Sequence, residues 1–185
     1  LIAILVTLFD RGILSFQAII VGIVAGSLLG LWMARAVKMT SMPQMVALLN
    51  GFGGGSSLLV GGAEFLKAEL EGVTPPLDVG ITTQLSLLIG AVTLSGSLIA
   101  WAKLQEVMTG KPITFPMQKT VNALTFVVSV ALASYQIATP EQVLWPFYAV
   151  IALSLALGVL LVIPIGGADM PVVISLLNSY SGIAA

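Results

Sequence analysis

Charged positions are sparse along this chain, and the stretches between them define the architecture. Uncharged runs occupy 12–34, 39–63, 79–102, 120–140 and 142–168, with two shorter runs at 1–9 and 170–185 that reach the chain ends. Each of the five internal runs meets or exceeds the roughly 20 apolar residues with which a helix crosses about 30 Å of hydrocarbon. The pattern predicts an all-α, polytopic transmembrane helix bundle with five complete spans and two partial ones, and makes 1–185 one membrane domain. Residues 1–9 are expected to be the remainder of a helix rather than a signal peptide, because neither a basic leader nor a small-residue cleavage site accompanies them. Both ends are expected to be cut inside helices.

Polar residues inside these runs follow helical spacing. Gly22, Gly26 and Gly30 stand at every fourth position of the first complete run, a small-residue ridge that lets another helix approach closely. Thr82, Ser86, Gly90, Thr93 and Ser97 share one helical face of 79–102, and Asn122, Thr125, Ser129 and Gln136 stripe the next run. Such hydroxyls either bond back to the carbonyl four residues earlier or present a hydrated face. Asn122, close to Lys119, is placed in the headgroup region. The run 142–168 is almost entirely Leu, Ile, Val and Ala. It is expected to face lipid, with the polar stripes turned inward.

Two segments repeat 128 positions apart: Met42-Pro43-Gln44-Met45-Val46-Ala47-Leu48-Leu49-Asn50-Gly51 and Met170-Pro171-Val172-Val173-Ile174-Ser175-Leu176-Leu177-Asn178-Ser179. Each reads as a helix start, with proline near the first position and Ser41 or Asp169 as the expected cap. Seven residues after each proline, roughly 10 Å along the axis, an asparagine enters the hydrocarbon. A carboxamide has four hydrogen-bonding sites that its own backbone cannot all satisfy, and burying it without partners or water is costly. Asn50 and Asn178 are therefore the candidate functional pair, expected at similar depth. The neighbouring Gly51-Phe52-Gly53-Gly54-Gly55-Ser56 lacks the last glycine of a dinucleotide fingerprint and follows no strand. Close helix packing, or local flexibility beside Asn50, accounts for it better.

Composition narrows the chemistry further. The chain has seven basic and eight acidic residues, no histidine and no cysteine. Thiol and thiolate-metal chemistry are excluded, and a formal charge of −1 gives no basic stripe for nucleic acid. Arg35, Lys38, Lys103, Lys111 and Lys119 fall in alternate gaps, against Arg11 and Lys67 in the others. That bias assigns the first set to the cytoplasm, so both Met-Pro segments start on the cytoplasmic side.

The second repeat carries a resemblance. Gly166-Gly167-Ala168-Asp169-Met170-Pro171-Val172-Val173-Ile174-Ser175-Leu176-Leu177-Asn178-Ser179-Tyr180-Ser181-Gly182 resembles the start of the penultimate membrane helix in the β subunit of proton-translocating nicotinamide nucleotide transhydrogenase. Gly90-Ala91-Val92-Thr93-Leu94-Ser95-Gly96-Ser97 with Ala102-Lys103-Leu104, and Met42-Pro43 through Asn50, are similar to further signatures of that subunit. The resemblance implies a complex that moves hydride between NAD(H) and NADP(H) and couples this to proton passage, in a bacterial inner membrane. It implies as partners an α subunit bringing membrane helices and the NAD(H)-binding domain, a C-terminal NADP(H)-binding domain of the same subunit, the lipid bilayer, and a homodimer of the complex. No cofactor site, and neither the first nor the last helix of the β subunit, is expected within these residues.

By position, Asn178 resembles a residue of the family's proton path, Ser97 a hydroxyl on the same route, and Asp169 a loop acid communicating with the NADP(H) domain. Asn50 departs from the pattern, since many family members carry histidine there. A neutral carboxamide cannot take and release a proton as an imidazole does. The resemblance suggests a histidine from a membrane helix of a partner subunit, as in some bacterial relatives, with Asn50 and Asn178 holding water around it. A secondary-transporter membrane domain is the alternative, since parallel repeats and mid-membrane polar residues occur there as well.

Overall fold

The structure is a computed structural model that describes residues 16–139 and 143–184. All its regular structure is helical: α1 (Phe16–Ala36), α2 (Met42–Glu71), α3 (Leu77–Leu104), α4 (Gln118–Ala138), α5 (Leu144–Val162) and α6 (Met170–Ala184). Short 3-10 turns, Met39–Ser41 and Gly167–Asp169, lead directly into α2 and α6. Five helices, α1 to α5, are long and apolar enough to cross a membrane, and α6 is the expected partial span of 15 residues. The partial run at 1–9 lies outside the described residues.

The chain divides into two units, Leu1–Thr40 and Ser41–Ala185. The first holds α1, whose 21 residues extend about 32 Å. Gly22, Gly26 and Gly30 lie along it, and within that unit an added Cβ at any of them meets nothing within 4 Å.

In the second unit α3 is the hub. On one side it takes α2 through a seam of glycines. A Cβ at Gly54 would lie 2.7 Å from Thr93 Cβ and 2.9 Å from the Gly90 carbonyl, and one at Gly61 would lie 3.1 Å from Ser86 Cβ. Later residues of α2 thus meet earlier residues of α3, so the two run antiparallel. In lipid there is little hydrophobic drive between helices, and small residues that let backbones close up supply the contact. Within the Gly51–Ser56 cluster, Gly51 and Gly54 are therefore packing positions, whereas Gly53 faces open space.

On another side α3 takes α5 in parallel, with Leu87 and Phe147 in one buried cluster and Val162 against Gly96 further along. Gly158 sits so close to Val92 and Ser95 that no side chain fits there. This overturns the lipid-facing expectation for α5. Phe147, Val150, Ser154, Leu157, Gly158 and Val162 form a buried stripe, whereas the polar-striped α4 buries only Gln118, Ser129 and Ala133. Hydropathy does not separate inside from outside when the solvent is itself hydrocarbon; the small residues Ser154 and Gly158 mark the packed face. Most of the α4 stripe finds partners without a polar interior, although Asn122 Oδ1 is buried with no acceptor bond among the described residues. Thr125 and Ser129 bond back to Val121 and Thr125 carbonyls at 2.9 and 2.8 Å, and Asn122 Nδ2 donates to the Leu160 carbonyl at 3.3 Å.

Two further departures concern helix ends. Helix α2 runs past the uncharged stretch to take in Glu64, Lys67, Glu69 and Glu71, because nothing interrupts helical geometry before Gly72. At φ +62° Gly72 turns the chain left-handed, and the N–H groups of Gly72 and Val73 close on the Glu69 and Ala68 carbonyls at 3.2 and 3.0 Å. Nor do the expected caps form. Ser41 occupies the cap position of α2 but makes no side-chain capping bond. Asp169 ends a 3-10 turn, with its N–H on the Gly166 carbonyl at 3.1 Å. The preceding 3-10 turns hold these residues out of the extended conformation that a side-chain cap needs.

Candidate functional site

The Met-Pro starts of α2 and α6 bring Asn50 and Asn178 to one place. Gly51 allows α2 to press against α3, with a Cβ there only 3.3 Å from Ser97 Cβ. The adjacent Asn50 then reaches α3, and its Nδ2 donates to Ser97 Oγ at 2.8 Å. Ser97 is fully buried. On the opposite flank of the same turn, Leu177 of α6 packs 3.2 Å from where a Gly96 Cβ would stand. Asn178, next along α6, thus lies at the level of Asn50. One turn away, Ser181 Oγ bonds the buried Thr93 Oγ1 at 3.0 Å.

Between α2 and α6 opens a groove of about 700 Å³, lined by Asn50, Gly53 and Ser57 on one wall and Ser175, Asn178 and Ser181 on the other. The two asparagines are not equivalent. Asn50 is half-buried and anchored to Ser97, whereas Asn178 is exposed to the groove and has no protein hydrogen bond among the described residues. Among the apolar Val46, Leu49, Pro171 and Ile174, the lining sets carboxamides and hydroxyls, groups that orient water and pass hydrogen bonds but hold no charge near neutrality.

Asp169 is exposed at the basic end of the bundle, in the connection between α5 and α6. That connection is stitched to the one between α3 and α4: Gly167 N–H donates to the Gly110 carbonyl at 2.8 Å, and Ile113 N–H to the Ile163 carbonyl at 3.2 Å.

Two polar groups escaped the residue-pattern reading. Lys103, which the sequence offers as a cytoplasmic charge and as part of a family-like signature but with no role of its own, is buried, with Nζ 2.5 Å from the Ile163 carbonyl and 2.7 Å from that of Ile165. Its spacing was the available signal, because Thr93, Gly96, Ala100 and Lys103 continue one buried face of α3. At the opposite end Gln84 Nε2 donates to Gln136 Oε1 at 3.0 Å, and Gln136 Nε2 to the Val143 carbonyl at 3.2 Å. The parts of this bond chain come from separate runs, and pairing them required the fold.

The whole chain, residues 1–185, matches the family model described as NAD(P) transhydrogenase beta subunit. This chain belongs to that family. It is 43% identical over 188 aligned positions to the NAD(P) transhydrogenase subunit beta of Rhodospirillum rubrum, and equally so to the protein of that name from a specified strain of the species. Each alignment covers 100% of this chain and 40% of the relative. The chain thus spans about two fifths of the length of the transhydrogenase β relatives it matches, and five of its described helices are long and apolar enough to cross a membrane.

Proposed function

We propose that these residues form the proton-translocating membrane domain of a transhydrogenase complex, which couples hydride transfer between NAD(H) and NADP(H) to proton passage across a bacterial inner membrane. The observation that carries this reading is the Asn50–Ser97 hydrogen bond beside a groove into which Asn178 projects at the same level of α3. A proton route needs bound water at a fixed depth and groups that hold it, and this is where the chain puts its spare carboxamide and hydroxyl valences. Nicotinamide chemistry is assigned to nucleotide-binding domains outside these residues. In this reading Asp169, exposed at the basic end, faces the NADP(H)-binding domain. The Gly22, Gly26 and Gly30 ridge takes another membrane helix, and the complex works as a homodimer with α subunits.

A pump also needs a group whose proton affinity differs between two states. The chain has no histidine, and among the described residues no carboxylate lies at the depth of Asn50. The titrating imidazole is assigned to a membrane helix of the α subunit, seated in the groove beside Asn50. Reconstitution of the complete complex in sealed vesicles tests the reading, with hydride transfer and proton movement followed together. Asn178→Leu is expected to leave the complex assembled and to cut proton-coupled turnover by about tenfold or more, the size of effect that follows from about 1.4 kcal/mol at the limiting step. Unchanged coupling in that variant would remove Asn178 from the route.

A further inference from the structure

Lys103 ends α3 where a lysine is ordinarily exposed, yet it is 2% exposed. Its Nζ meets the carbonyls of Ile163 and Ile165 at 2.5 and 2.7 Å and that of Lys111 at 3.4 Å. No carboxylate partners it among the described residues. Taking an ammonium out of water without a counter-ion is costly, so its acceptors must compensate. Ile163 and Ile165 follow the C-terminus of α5, where carbonyls left without intrahelical donors carry the negative end of the helix dipole. The third acceptor belongs to the α3–α4 connection. One ammonium therefore joins the end of α3 to both connections at the basic end, and the connection past Ile165 leads within four residues to Asp169. In the other direction Ser97 lies six positions back on α3, under two helical turns away.

We propose that Lys103 is a positioning residue through which the α5–α6 connection and the Ser97–Asn50 pair move as one body, so that displacement imposed at Asp169 reaches the groove along α3. This rests on the reading of the groove as a proton route and of Asp169 as the residue facing the NADP(H) domain. Two neighbours give the link its direction. Met170 is fully buried directly after Asp169, and the Gly167–Gly110 bond of 2.8 Å stops the connection from sliding on its partner.

The test uses the complete complex in sealed vesicles, with Ala168→Cys as a reporter. This chain has no cysteine of its own, and Ala168 is exposed. The rate of maleimide labelling is read on the peptide carrying position 168, and protons moved per hydride transferred are read in parallel. Lys103→Met is expected to raise labelling several-fold and to lower the proton-to-hydride ratio by at least half. Lys103→Arg, which keeps the charge and donors, is expected to restore part of both. If Lys103→Met does not assemble, Lys103→Gln carries the same two measurements with neutral donors to the carbonyls. Faster labelling with an unchanged ratio would make Lys103 a structural latch only and overturn the proposal. Unchanged labelling would overturn it as well. If the parent complex moved no protons with hydride, the proton-route reading itself would fail, and the labelling data would still report whether Lys103 holds the connection.

Discussion

Asn50 and Ser97 form a bonded pair, and that changes what each substitution should do. The Ser97 hydroxyl is fully buried and accepts from Asn50 Nδ2 at 2.8 Å. Ser97→Ala leaves the half-buried carboxamide without its anchor, at a cost of about 0.5–1.5 kcal/mol for one lost hydrogen bond, and removing both partners costs less than the two single changes together. A double-mutant cycle of Asn50→Ala and Ser97→Ala, read in stability of the complex and in coupled turnover, is expected to show an interaction of about 0.5–1.5 kcal/mol. Additive effects would mean that the bond is not made in the working complex. In coupled turnover alone Ser97→Ala is expected to fall short of Asn178→Leu, because the serine acts through Asn50 while Asn178 meets the groove directly. Asp169 behaves differently again. With no capping bond to lose, Asp169→Asn is expected to leave thermal stability within about 0.5 kcal/mol of the parent, and to alter NADP(H) affinity or release through its lost charge. Nucleotide binding measured on the two complexes separates that role from silence.

At the scale of helices, contacts between glycines and facing backbone matter more than hydropathy. Gly54 stands 2.7 Å, in Cβ terms, from Thr93, while Gly62 would place a Cβ at an ordinary 3.8 Å from Phe147. Gly54→Ala is therefore expected to push α2 off α3 and destabilise the complex by about 1–3 kcal/mol, and Gly62→Ala to be close to neutral. Thermal unfolding in detergent checks the order, and equal effects would remove the close α2–α3 approach as its cause. The same contacts explain what was legible beforehand. Span number and helix type follow from charge placement, which water and lipid both enforce, so the runs 12–34 to 142–168 matched helices wherever residues are described. Lateral order was not legible for α5, because an apolar stripe facing protein and one facing lipid have the same composition. The Asn50–Asn178 pair could be read from the repeat. The Asn50–Ser97 bond and the Lys103 clamp needed the antiparallel α2–α3 register, which no single segment encodes.

Across the second unit, the arrangement is a helix bundle with a polar opening and, among the described residues, no titrating group at its level. Both groove walls come from helices that run antiparallel to α3, so Asn50 and Asn178 share a depth as parallel repeats should. Their amides can hold a water or an imidazole in register, yet the chain has no histidine to place there. The groove of about 700 Å³ has room for side chains from a neighbouring helix, and the polar residues on its walls would otherwise face hydrocarbon at a cost. The proposed partner helix bearing the imidazole would resolve both points. In the assembled complex, replacing that partner histidine with alanine is expected to abolish proton coupling. Asn50→His in the same background is expected to restore part of it, because it returns a group of pKa near 6.5 to the same turn of α2. Vesicle measurements of proton uptake during hydride transfer decide the matter. Coupled pumping by a complex in which no membrane helix brings a histidine or buried carboxyl near Asn50 would refute the assignment.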